Sequence, residues 1–168
     1  RARRCQLTNR ATLFLMVRSL PRSPPVPYTT LFRSKGKHRS AICKGVDALV
    51  VLIPKKGEDI GHFICLVPGQ KSIEYFSSLG QSPWVELEKL HESRAIFEQL
   101  LGARFNYNRR AVQGGAYNIN TCAAWVLLRA HFHGFKLRQF QSLFDRRITL
   151  ETPDEIAATM AACLFQDR

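Results

Sequence analysis

The chain has 168 residues, 45% of them hydrophobic and 23% charged, which suits one domain with a buried core and leaves little room for two. Apolar runs such as Ala48–Ile53 are too short to cross a bilayer, so no membrane partner is expected. The net charge of +12 invites a nucleic-acid reading, but residues 1–40 hold ten Lys or Arg and no acid, while the rest holds 15 basic and 13 acidic side chains. The basic excess belongs to the N-terminal segment and the remainder is nearly neutral.

That N-terminal segment, "TLFLMVRSLPRSPPVPYTTLFRS", has no sustained period and no clean signal-peptide pattern, because Arg18 and Arg22 break its apolar run. Its "PPVPYTTLFRS" portion resembles translated adapter read-through from environmental sequencing. The expected organisation is a non-native or disordered basic segment over 1–34, then one domain over 35–168 whose own N-terminus is missing. Five cysteines (Cys5, Cys43, Cys65, Cys122, Cys163) are odd in number, widely spaced and without a C-x-x-C pair. That is neither a disulfide framework nor a zinc site, and it predicts a reducing intracellular compartment; no metal or cofactor is expected.

From Val46 to Pro54 the β-branched run "VDALVVLIP" predicts a buried strand, ended by proline and "KKGED". "IGHFICLVP" (60–68) and "SIEYFSS" (72–78) predict two more strands joined as an antiparallel hairpin. The spacing of Trp84, Leu87, Leu90, Ile96, Leu100 and Leu101 predicts one helix, started by Pro83 and stopped by Gly102. "ARFNYNRRAVQ" reads as a last short strand leading into the loop "GGAYNIN". A helix from Thr121 to about His133 follows, closed by Gly134, then a short one in "FKLRQFQSLF". The last helix opens with Thr152 as N-cap, Pro153 at N1 and Glu155 at N3, a capping box. Strands, a helix, a strand, then helices give an α+β class.

Cys122 stands where a polar loop meets an apolar helix. Free cysteine is usually a small core residue, and Cys43, Cys65 and Cys163 lie in apolar runs that suit that role. With Asn120 or Thr121 as N-cap, however, Cys122 falls in the first helical turn, where unpaired N–H groups and the helix dipole favour a thiolate. Nucleophile and oxyanion donors on one element are what acyl transfer needs. A base is then required. His131 and His133 lie at the far end of the same helix, and His91 sits among charged residues; His62, mid-strand in "GHFICL", is the histidine a fold can bring to the thiol.

"GHF", then "IEYFSSLG", then "AVQ", then "NTCAAW" resembles, over roughly 46–144, the adenain-type and Ulp1-like cysteine proteases, whose chain order is His, acid, Gln, Cys. The resemblance is nearest to maturation proteases of large double-stranded DNA viruses and Polinton-like elements. It implies a papain-like fold: a small central mixed or antiparallel sheet flanked by helices, the nucleophile at a helix N-terminus. It makes Cys122 the nucleophile, His62 its general base and Gln113 the side-chain donor to the oxyanion hole. An amide suits that task as an uncharged donor.

Three positions depart from the family pattern. Ser77 occupies the acid's place, Ala123 replaces a usual glycine, and Phe63 replaces a usual tryptophan. Hairpin geometry also selects residue 77: a four-residue loop over 68–71 would set Val67 opposite Ser72 and His62 opposite Ser77. Glu74 would then face Cys65 from the other side of the sheet. A serine hydroxyl can orient an imidazole but brings no charge, so an impaired protease or an inactive, protein-binding homologue stays open, as does a ubiquitin-like-protein deconjugating protease. The resemblance further implies a protein substrate and an activating peptide or DNA; of the oligomeric states, a monomer is favoured. The basic segment raises a nucleic-acid-binding alternative, but no recognition motif accompanies it.

Overall fold

In the computed structural model, residues 13–17, 46–55, 61–101, 104–114, 120–145 and 151–165 are described. Five strands, β1 (Leu13–Val17), β2 (Ala48–Pro54), β3 (Gly61–Pro68), β4 (Ile73–Ser77) and β5 (Phe105–Tyr107), form one sheet in that spatial order. β1 to β4 pair antiparallel and β5 joins β4 in parallel, so the sheet is mixed. β1 lies inside the segment set apart at 1–34 and pairs with β2, Leu15 opposite Val50. Cys5, Cys43 and most of the "KKGED" and "GGAYNIN" loops lie outside the described residues.

Successive side chains on β2 to β4 point to opposite faces, and each face has its own core. On one, Val51, Ile53, Ile64, Leu66 and Tyr75 pack with Leu87 of α1 (Pro83–Lys89) and with Phe97 and Leu101 of α2 (Ala95–Leu101). On the other, Val50, Cys65 and Phe76 pack with Trp125, Val126 and Leu128 of α3 (Cys122–His131). Phe140 of α4 (Leu137–Ser142) and Ala157 and Ala161 of α5 (Pro153–Phe165) complete that second core. The chain is α+β, with a sheet between helices; among the described residues no helix is long and apolar enough to cross a membrane.

Three expectations about local structure are corrected. The helix predicted from Pro83 to Gly102 is two helices, because α1 ends in a Schellman turn. The Glu92 N–H donates to Leu87 O at 2.8 Å, the His91 N–H donates to Glu88 O at 3.1 Å, and His91 takes φ of +56°. Glycine is the usual residue there, so a histidine hides the stop. Secondly, the hairpin register is shifted by two: Pro68 faces Ile73 and Ile64 faces Ser77. The loop is Gly69–Ser72, closed by the Gly69 N–H to Ser72 O at 2.9 Å, and Glu74 faces Val67 instead of Cys65. Thirdly, Cys163 is exposed while Cys65 is fully buried. α5 presents Cys163 on its outer side, away from Ala157 and Ala161.

Candidate active site

A shift of two residues preserves faces, so His62 and Ser77 still share one side of the sheet, now as diagonal neighbours. His62 Nε2 lies 3.0 Å from Ser77 Oγ. The Ser77 hydroxyl donates to Glu86 Oε1 of α1, whose other oxygen accepts from the Tyr75 hydroxyl. Ser77 Oγ also accepts the Leu79 N–H at 3.2 Å. With its one proton given to a carboxylate, Ser77 can only accept from His62, which puts the imidazole proton on Nε2 and leaves Nδ1 as the basic nitrogen. Asn108 fixes the Ser77 backbone from both sides, accepting its N–H at 2.9 Å and donating to its carbonyl at 2.6 Å.

Burial governs the electrostatics. It pushes the His62 pKa down to about 4, so the resting ring is neutral, although Glu86 Oε1 stands 4.0 Å from Nε2. It pushes the Glu86 carboxyl up, and the hydrogen bonds from Ser77 and Tyr75 oppose that rise. Cys65 is held inert, its thiol pushed up to about 12 by burial.

Next in the chain, Ser78 reaches the oxyanion candidate. Its carbonyl accepts the N–H groups of Val112 and Gln113 at 2.9 and 3.1 Å, and its hydroxyl donates to Gln113 Oε1 at 2.7 Å. Fixing the amide oxygen orients the Gln113 NH₂ away from Ser78. Gly80 allows this approach: it has φ of +66°, and a Cβ there would sit 2.3 Å from the Ala111 nitrogen. One residue after Gln113, the Gly114 N–H donates to Asp154 at 2.6 Å. Asp154, 3% exposed at the start of α5, also accepts from the Thr121 hydroxyl and from the Trp125 indole at 2.8 Å. A cavity of about 360 Å³ opens beside this loop, lined among others by Val112, Gln113, Trp125, Phe144 and Asp154. Neither His62 nor Cys122 lines it.

Cys122 begins α3, as its place in the sequence predicts, with Thr121 as N-cap. The Thr121 hydroxyl does not cap the helix; it is committed to Asp154. The direction of α3 is fixed at its other end, where Arg129 forms a bidentate pair with Glu74 at 2.7 and 3.1 Å. His62 and Ser77 project on the face of Ile64 and Tyr75, beside α1, whereas α3 packs on the opposite face of the sheet. The link between the two is the path from Ser78 through Gln113, Gly114 and Asp154 to Thr121. No hydrogen bond joins His62 to Cys122 among the described residues: the thiol, 4% exposed, donates to Asn120 Oδ1 at 3.3 Å.

Five groups in this site are given no role by the motifs: Tyr75, Ser78, Glu86, Asn108 and Asp154. Glu86 does carry a signal, since Pro83, Glu86, Leu87 and Leu90 recur at i, i+3, i+4 and i+7, the spacing of a buried stripe. Phe63 packs against the α3-side core, and Ala123 is half-buried in the first turn of α3. His131 and His133 stay at the far end of α3, where the His133 ring lies 3.1 Å from Ala130 O. Among the described residues no cluster of three or more His, Cys, Asp or Glu could hold a metal ion. No family model, curated protein or solved structure matches the chain.

Proposed function

We propose that the chain is a thiol endopeptidase of adenain/Ulp1-like type with a papain-like fold, processing viral or mobile-element precursor proteins. Cys122 is the nucleophile, His62 the general base and Gln113 the oxyanion donor, with Ser77 as the residue that orients His62. The observation that carries this reading is a hydrogen-bonded path linking the four motif positions. It runs from His62 to Ser77, from the adjoining Ser78 to Gln113, and from the adjoining Gly114 through Asp154 to Thr121, next to Cys122.

The chemistry follows from those roles. Nδ1 of His62 takes the thiol proton as Sγ bonds to the scissile carbonyl carbon, and the carbonyl oxygen becomes an oxyanion facing the Gln113 amide and the N–H groups at the start of α3. The oxyanion collapses, the C–N bond breaks, and the proton on His62 passes to the leaving amine. Water then attacks the thioester with His62 as base, releasing the carboxylic acid and restoring the thiol. A monomer in a reducing compartment and an activating peptide or DNA belong to the same proposal. Deconjugation of a ubiquitin-like protein is the same chemistry on another substrate.

The buried thiol, which donates to Asn120 and not to His62, favours a second reading, an inactive protein-binding homologue. A peptide library digested with the wild type and analysed by mass spectrometry separates them. The protease reading expects new termini that Cys122→Ser does not produce; an unchanged library supports the binding module.

A further inference from the structure

We propose that Glu86 is the acid missing from position 77, acting on His62 through the Ser77 hydroxyl; this rests on the reading of Cys122 and His62 as nucleophile and base. Ser77 alone cannot offset the charge of an imidazolium. Behind it stands a carboxylate 2% exposed, placed by α1 so that one oxygen accepts a hydrogen bond from the Ser77 hydroxyl and the other from the Tyr75 hydroxyl. A buried carboxylate is costly without partners, and both of these donors are neutral hydroxyls. Among the described residues the basic group within 4.0 Å of it is His62. The arrangement therefore places the negative charge where His62 becomes positive, one hydroxyl further away than a direct acid.

Ser77 Oγ accepts from His62 and Leu79 and donates to Glu86, so its three hydrogen-bonding positions are filled in one sense only. When Nδ1 takes the thiol proton, Nε2 keeps its own proton and keeps donating to Ser77. Ser77 keeps its proton and keeps donating to Glu86. Only the thiol proton moves; Glu86 is a positioning residue that steadies the imidazolium across the hydroxyl. Among the described residues, the charged and titratable groups facing this carboxylate are His62 of β3, Tyr75 of β4 and, at longer range, Lys89 of α1.

The test is the rate of Cys122 alkylation by iodoacetamide against pH, located by peptide mapping because Cys163 is exposed, in the full-length chain. Glu86→Gln should slow Cys122 roughly tenfold near neutral pH, the effect of about one pKa unit, and move the midpoint of the rate profile upward. Ser77→Ala, which removes the bridge and leaves the Tyr75–Glu86 contact, should do the same, and Glu86→Asp, which draws the carboxylate back from the Ser77 hydroxyl and should also slow Cys122, replaces Glu86→Gln if that variant does not fold. Ser77→Asp added to Glu86→Gln should restore the wild-type profile by returning the acid to direct contact. A wild-type rate and profile in Glu86→Gln, with His62→Ala inactive, would overturn the relay whatever Ser77→Ala does, and leave the Cys–His pair standing. Indifference to His62→Ala would overturn both.

Discussion

The Asp154 carboxylate receives the Gly114 N–H at 2.6 Å and the Trp125 indole at 2.8 Å, so one buried side chain joins the loop behind Gln113 to the first turn of α3. With Thr121 as its third donor, it sets the distance between the oxyanion candidate and the nucleophile candidate. Asp154→Ala leaves the buried Trp125 indole without its acceptor, while water can reach the Gly114 and Thr121 donors, and should cost about 1–3 kcal/mol in urea unfolding. A cost under about 0.5 kcal/mol, the range of an ordinary surface change, would show that the clamp contributes nothing to holding the two segments together.

Glu74 and Arg129 hold the other end of α3, and they are unequally buried: the Arg129 side chain is 1% exposed, that of Glu74 19%. Removing Glu74 leaves a buried charge unpaired; removing Arg129 leaves a carboxylate that water can reach but also strips the Phe132 and Phe135 carbonyls of the donor they accept from at 2.7 and 3.1 Å. Glu74→Ala should therefore lose about 3–5 kcal/mol. A loss under about 0.5 kcal/mol in denaturant titration, the range of an ordinary surface change, would contradict this.

Gln113→Ala separates oxyanion stabilisation from thiol activation. Peptide turnover should fall roughly 10²–10³-fold, while alkylation of Cys122 by iodoacetamide, which forms no oxyanion, should hold near the wild-type rate. Parallel loss of both would assign Gln113 a structural role.

Burial sets the sign of one pH effect. The His62 pKa is lowered to about 4 in the folded chain, below the ordinary imidazole value of 6.5, so between those values the unfolded state binds more protons. Stability from this group is fully present above 6.5 and is lost as pH falls through the window toward 4. His62→Gln should flatten that slope in unfolding measured from about pH 7 to pH 4. The same slope in both proteins would assign it elsewhere.

Much of this architecture is legible in the sequence because local chemistry agrees with the tertiary result. β2 is a β-branched run and β3 an apolar one, cut by Pro54 and Pro68. The predicted capping box of α5 is present in both directions: Glu155 accepts the Thr152 N–H at 2.7 Å, and the Thr152 hydroxyl accepts the Glu155 N–H at 3.3 Å. The His62–Ser77 contact follows even from a hairpin register that is off by two, because an even shift leaves every side chain on its own face.

Other features are hidden for physical reasons. The Schellman turn at His91 uses a left-handed residue that is not glycine. Asp154 reads as an ordinary acid in a first helical turn, and its three partners come from segments 29 to 40 residues away. Glu86 sits on a stripe of apolar spacing, where a carboxylate looks out of pattern until Ser77 and Tyr75 are set beside it.

The central claim, that Cys122 is a nucleophile served by His62, is tested most directly by a peptide vinyl sulfone and quantitative peptide mapping of the labelled cysteines. Cys122, though 4% exposed, should react faster than the exposed Cys163, and His62→Ala should abolish this preference. Labelling that simply follows exposure, with Cys163 ahead and no response to His62→Ala, would contradict it.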